Sequence, residues 1–140
     1  MLKGIPSILS PELLKILMEM GHGDELVIGD GNFPSANYAQ RLVRCDGHGV
    51  PELLEAILKF YPLDTFVECP VVLMDAPKDV RPPVWDKYKE IIKKYEGNHN
   101  IEYAERFEFY ERAKKAYAIV ATGETALYAN IILKKGVIKE

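Results

Sequence analysis

Cysteine is scarce. Cys45 and Cys69 are the only two, they stand far apart, and neither belongs to a CxxC pair, which excludes a thiolate zinc knuckle and a disulfide-stapled scaffold. Positive charge is not in surplus either: 18 basic residues face 21 acidic ones for a formal net charge of -3, so the electrostatic footprint of a nucleic-acid binder is missing. The lysine pairs at 93–94, 114–115 and 134–135 fit the solvated sides or ends of elements. Long apolar runs are also lacking. The first 24 residues are interrupted by Pro6, Pro11, Glu12, Lys15 and Glu19, leaving neither a signal-peptide core nor a span of about 20 apolar residues. A cytoplasmic chain without a membrane partner is the expectation. No GxGxxG, GxxxxGK[ST], GxSxG or HExxH occurs, which argues against dinucleotide, P-loop, nucleophile-elbow and zincin chemistry.

What is present is an ordinary globular composition, 28% charged and 48% apolar over 140 residues, enough for one core and a single domain over residues 1–140. Ser10-Pro11 reads as an N-cap and first-turn proline, followed by Leu13, Leu14, Ile16, Leu17 and Met20 at helical spacing until Gly21. Residues 25–30 form an apolar run ending in Asp-Gly-Asn, the signature of a strand covered on both faces. The stretch 31–40 reads as a polar loop and 42–45 as a strand. A second helix starts at Pro51 and stops at Pro62, a third strand covers 70–75, and 76–83 is a proline-rich loop. Val84, Tyr88, Ile91, Ile92 and Tyr95 mark a helix closed by Gly97, and 101–104 is ambiguous. Residues 106–116 carry Glu108/Arg112 and Glu111/Lys115 at i, i+4, which favours a helix. Strands are expected at 117–121 and 128–133. Too few residues separate these two for a parallel crossover, so at least one antiparallel pair or an irregular segment is expected within a mostly parallel α/β sheet.

Histidine between glycines in Gly21-His22-Gly23 is a candidate proton-transfer group open to ligand approach, or else a solvated turn residue behind a helix cap. Asp30 ends the first strand, where ligands of open α/β sheets collect, although an Asx turn explains it equally. A straight strand would hold His22 and Asp30 near opposite ends, so either it bends or two copies of the chain complete each site. His48 repeats the Gly-His-Gly theme, but no metal-ligand spacing accompanies it and no metal is expected. Arg106, Tyr110, Tyr128 and Asn130 offer a guanidinium, phenols and an amide, the mixture of donors and aromatic faces that suits a carbohydrate.

The segments LKGIP (2–6), SPELL (10–14), GHGDE (21–25), NFP (32–34), PLDT (62–65), RFEFYERAKKA (106–116) and ATGETALYANIILKKG (121–136) together resemble the ribose-pyranase and fucose-mutarotase family, in its fucose branch. The match runs nearly end to end. Gly31, His48 and Ala129 depart from the family's usual residues, and His48 thereby loses most of its claim to catalysis. The resemblance implies that His22 is the proton donor and that Asp30, Arg106, Tyr128 and Asn130 bind a monosaccharide, with Asp64 and Tyr110 as further sugar contacts or proton-transfer helpers. It also implies a three-layer α/β fold, ring formation as a decamer of two pentamers with sites near subunit boundaries, and a place in fucose metabolism without any cofactor. The implied activity is an isomerase exchanging the α and β anomers of L-fucose, whose methyl should meet an apolar wall. A ribose pyranase or broader monosaccharide mutarotase is the alternative, followed by a non-catalytic sugar-binding module.

Overall fold

The structure is a computed structural model that describes residues 1–140. Six strands form one sheet: β1 (Glu25–Gly29), β2 (Leu42–Cys45), β3 (Val71–Met74), β4 (Ile101–Ala104), β5 (Ala118–Thr122) and β6 (Ile131–Lys134). Their order is β2-β5-β1-β6-β3-β4. β1 to β5 all point one way, and β6 runs against them between β1 and β3. The expected antiparallel pairing therefore exists, but not between β5 and β6; β6 pairs with β1 and β3 instead.

Alternation along the strands divides the core into two layers. Leu26, Ile28, Val43, Val71, Leu73, Val120, Ile131 and Leu133 meet α1 (Pro11–Glu19), α3 (Val50–Leu58) and α4 (Pro83–Glu96). On the opposite face Val27, Val72, Met74, Ile119 and Ile132 meet α5 (Arg106–Lys115) and the segment around Phe33. These are the three layers that the resemblance implied. No helix is long and apolar enough to cross a membrane.

The sequence signals act as local physics requires. The Ser10 side chain accepts from the Leu13 N–H at 3.1 Å and starts α1. Gly97 closes α4 at φ 77°, a left-handed turn that a β-carbon would disfavour. Four expectations are corrected. Residues 31–40 contain a one-turn helix, α2 (Ser35–Tyr38). The ambiguous residues 101–104 are β4, recruited by pairing with β3. β6 begins at Ile131, because Tyr128 sits at φ 55°, outside the strand region. On α5, Arg112 ignores Glu108 and reaches Glu102 at 2.9 Å and Glu25 at 3.2 Å, while Glu111 pairs with Lys114. Two carboxylates that converge from β1 and β4 are better partners than a solvated one on the same helix. Both thiols are free, Cys45 buried and Cys69 partly so.

The β5–β6 connection passes so close to the turn after β2 that a β-carbon on Gly123 would lie 2.0 Å from the Asp46 carbonyl oxygen. Gly123→Ala must push two backbones apart. Overpacking of this kind costs about 1–3 kcal/mol, and the melting temperature, followed by calorimetry, is expected to fall by roughly 3–10 °C.

Candidate active site

Asp30 leaves the C-terminal end of β1 and is 7% exposed. Its backbone N–H donates to Asn130 Oδ1 at 2.7 Å, and its own Oδ1 accepts the Asn32 N–H at 3.0 Å. The Asx turn thus exists, but it occupies one carboxylate oxygen and leaves the other for a ligand. Burial pushes the Asp30 carboxyl above its usual range and the Glu124 charge adds to this, against the opposing N–H groups of Asn32, Ala129 and Phe33. Asn130 spends its oxygen on the Asp30 backbone. Its Nδ2 faces Met74 Sδ at 3.7 Å, a weak acceptor that leaves donor capacity in hand.

Tyr128 stands at the same sheet edge, two residues before Asn130. Arg106 and Tyr110 occupy the first turn and a half of α5, which starts directly beyond β4. The Arg106 Nε–H donates to the Tyr110 hydroxyl oxygen at 2.9 Å. The Tyr110 ring meets Phe33 edge-on at 5.7 Å, and the Phe33 N–H donates to the Asp30 carbonyl. Asp30, Asn130, Tyr128, Arg106 and Tyr110 therefore all belong to the end of the sheet where β1, β3 and β4 end and β6 begins, with Tyr128 packed against the α4-side layer and Tyr110 against the α5-side layer. In open α/β sheets this edge is where ligands bind.

His22 and Asp64 lie at the other edge. The Gly23 N–H donates to the Lys135 carbonyl and the Asp64 N–H to the Lys134 carbonyl, so both segments hang from the far end of β6. His22 Nε2 is 3.1 Å from Asp64 Oδ1, with the His22 side chain 46% exposed and that of Asp64 only 3%. The His22 ring leans on Phe66, centroids 5.2 Å apart. Burial alone would raise the Asp64 carboxyl, but the Phe66 N–H, the His22 hydrogen bond and charge, and Lys134 together hold it below the ordinary carboxylate range. A carboxylate only accepts, so Nε2 carries the hydrogen and Nδ1 is the nitrogen left free.

The candidate residues thus form two groups. Asp64 belongs with His22 and not with Asp30, a separation that chain order does not reveal. β1 alone contributes five residues between the groups, roughly 16 Å. His48 joins neither; it is a half-exposed residue at the start of α3, 3.3 Å from Glu52. No group of three His, Cys, Asp or Glu side chains is arranged to hold a metal ion.

One organising residue escaped the sequence analysis. The Glu124 carbonyl accepts the Gly31 N–H at 2.8 Å, Oε1 accepts the Val50 N–H at 3.1 Å, and Oε2 accepts from Thr125 and Ala126. It ties the loop before Tyr128 to the start of α3 and to the turn after Asp30. The available signal was a carboxylate placed after a glycine in a turn, which is too common to single out.

Known proteins resemble this chain over its full length. A fucose mutarotase from Danio rerio is 54% identical over 144 aligned residues, covering 98% of this chain and 94% of that protein. The crystal structure of the fucose mutarotase in complex with L-fucose from Streptococcus pneumoniae has 54% identity and a TM-score of 0.94, covering 99% of this chain and 100% of that one. The Bacillus subtilis RbsD structure complexed with D-ribose is more distant, with 25% identity and a TM-score of 0.75 over 94% of this chain and 95% of that one. The profile of the RbsD / FucU transport protein family matches residues 3–138. By that match and these identities, the chain belongs to the RbsD / FucU family.

Proposed function

We propose that residues 1–140 act as one sugar-mutarotase domain that interconverts the α and β anomers of L-fucose. The observation that carries this reading is the 54% identity to fucose mutarotases, among them one solved with L-fucose; the placement of Asp30, Asn130, Tyr128, Arg106 and Tyr110 at one end of the sheet supports it. The ribose-bound relative, at 25% identity, lends the pyranase alternative less support.

Anomer exchange requires a base to remove the proton from the anomeric hydroxyl while an acid protonates the ring oxygen. The C1–O5 bond breaks, the aldehyde carbonyl turns its other face, and the reverse transfers close the ring. Electrons and protons balance without redox chemistry. His22 handles the proton at one of the two oxygens through Nδ1, with Asp64 holding Nε2–H and the ring orientation. Asp30 and Asn130 hold sugar hydroxyls. Arg106 occupies the Tyr110 oxygen as a donor and so directs the phenolic hydrogen toward the sugar. Tyr128 supplies an aromatic face.

Because the two groups lie at opposite sheet edges, each complete site takes His22 and Asp64 from one copy and the Asp30 group from another. A ring-shaped homo-oligomer, a decamer of two pentamers, brings such edges together. The exposed aromatic rings Phe66 and Phe107, one in each group's neighbourhood and 67% and 63% exposed, are apolar surface that such contacts would bury. The cytoplasm, where monosaccharides are taken into fucose metabolism, is the proposed location.

Saturation-transfer NMR on L-fucose tests the activity. His22→Ala is expected to slow anomer exchange by roughly 10²–10⁴-fold while retaining most sugar affinity; unimpaired exchange would remove His22 from the mechanism, and wild-type protein without exchange would leave a binding module. Co-expressed His22→Ala and Asp30→Ala chains, each inactive alone, are expected to recover about a quarter of wild-type activity, since one site in four then receives both intact halves. No recovery means that one chain supplies both. For Asp64, the lowered carboxyl stabilises the fold above the ordinary aspartate range, and that contribution is lost as pH falls through it. Asp64→Asn is expected to lower stability by about 1 kcal/mol at neutral pH, with the two melting temperatures converging as pH falls below the ordinary aspartate range.

A further inference from the structure

Tyr128 is the only non-glycine residue of the chain with positive φ, 55°. A tyrosine does not rest there unaided, since its β-carbon crowds the following carbonyl. Something outside the segment must hold the two peptide planes that follow it. Two side chains of α4 do so. The Trp85 indole N–H donates to the Tyr128 carbonyl at 2.9 Å, and the Tyr88 hydroxyl donates to the Ala129 carbonyl at 2.7 Å.

Trp85 and Tyr88 stand at i and i+3, on one face of a helix opened by Pro83. Both are rigidly seated. Trp85 is 6% and Tyr88 0% exposed, and the Trp85 ring leans on Tyr103 at 5.1 Å between centroids. Burial raises the Tyr88 phenol far above its ordinary range, so it stays protonated and remains a donor. The peptide planes fixed by these donors set the direction of the Tyr128 side chain and the starting point of Asn130, whose Oδ1 in turn holds the Asp30 backbone.

We propose that Trp85 and Tyr88 are positioning residues for the sugar site, a two-pronged clamp that keeps the strained 128–129 backbone in its binding conformation. This rests on the proposed mutarotase function for its kinetic consequence but not for its structural one. Loss of either prong leaves a buried carbonyl without its donor and lets Tyr128 relax toward ordinary φ, so that sugar binding must re-impose the bend. Affinity then falls, and the proton-transfer step of bound sugar is unchanged.

The experiment uses the full chain with Trp85→Phe, Tyr88→Phe and the pair. Tyr88→Phe keeps its ring and removes only the hydroxyl donor, whereas Trp85→Phe removes the N–H donor together with one ring of the indole, so the first is the cleaner probe. Anomer exchange by NMR over a range of L-fucose concentrations is expected to show KM raised about three- to tenfold in each single variant, in line with one lost hydrogen bond, with kcat within about twofold. Amide hydrogen exchange without sugar is expected to quicken in residues 124–131 and nowhere else. Unchanged KM together with unchanged local exchange overturns the clamp, as does faster exchange spread over the whole core with a lower melting temperature at constant KM. If Trp85→Phe does not fold, Tyr88→Phe carries the same test. Wild-type protein that fails to exchange the anomers defeats the mutarotase function, while the local amide exchange still decides whether the clamp exists.

Discussion

The hydrogen bonds that seat β6 between β1 and β3 place both groups of the site at once. Ile131 lies opposite Ile28, and Lys134 opposite Glu25. At one end the preceding Asn130 reaches the Asp30 amide; at the other, the Lys134 and Lys135 carbonyls take the amides of Asp64 and Gly23. Ile131, Ile132 and Leu133 are fully buried between strands and helices, each contributing about 1.5–3 kcal/mol by leaving water. A slip by one residue would turn Ile132 into the wrong layer and carry Asn130 away from Asp30. Packing of three aliphatic side chains thus fixes the positions of polar ones at both ends.

The approach to β6 carries strain. A left-handed tyrosine costs about 1–2 kcal/mol, and each neutral hydrogen bond returns a net 0.5–1.5 kcal/mol, roughly. The two donors from α4 are of the right size to offset it, and the four hydrogen bonds accepted by Glu124 hold the upstream end of the same loop. The loop is therefore fixed from behind, and under the proposed function this leaves the Tyr128 ring and the Asn130 amide nitrogen pre-oriented for sugar. Binding then spends little on ordering.

The residue pattern made legible whatever depends on neighbours in sequence. Ser10-Pro11 announced α1, Gly97 ended α4, and the apolar runs at 25–30 and 70–75 named two central strands, because caps and periodicity act over a few residues. Residues 101–104 stayed ambiguous because only the pairing with β3 makes them a strand. Arg112 looked committed to Glu108 because chain order does not show that Glu25 and Glu102 converge on it. Tyr128 read as strand since nothing local predicts positive φ in a tyrosine; the cause lies on α4, some 40 residues earlier. Of the site, the individual residue types were legible. Their division into two edges was visible only as a length problem along one strand, and the pairing of Asp64 with His22 was not visible at all.

That length problem persists in the folded chain, where His22 and Asp30 lie beyond opposite ends of β1. The five residues of β1, roughly 16 Å of strand, separate His22 from Asp30, whereas a hydrogen bond reaches about 3 Å, a span that one pyranose does not bridge. Under the proposal that neighbouring copies meet edge to edge, the proton-transfer group and the sugar-holding group of each site belong to different chains. Activity is then inseparable from assembly, and a chain folded but alone would keep its sugar-holding group with no proton-transfer group beside it. Under the same proposal, His22 can remain half exposed on a turn and still serve as the proton-transfer group. Its low dielectric surroundings would come from the neighbouring copy, with the buried Asp64 carboxylate already in place behind it to fix which nitrogen faces the sugar.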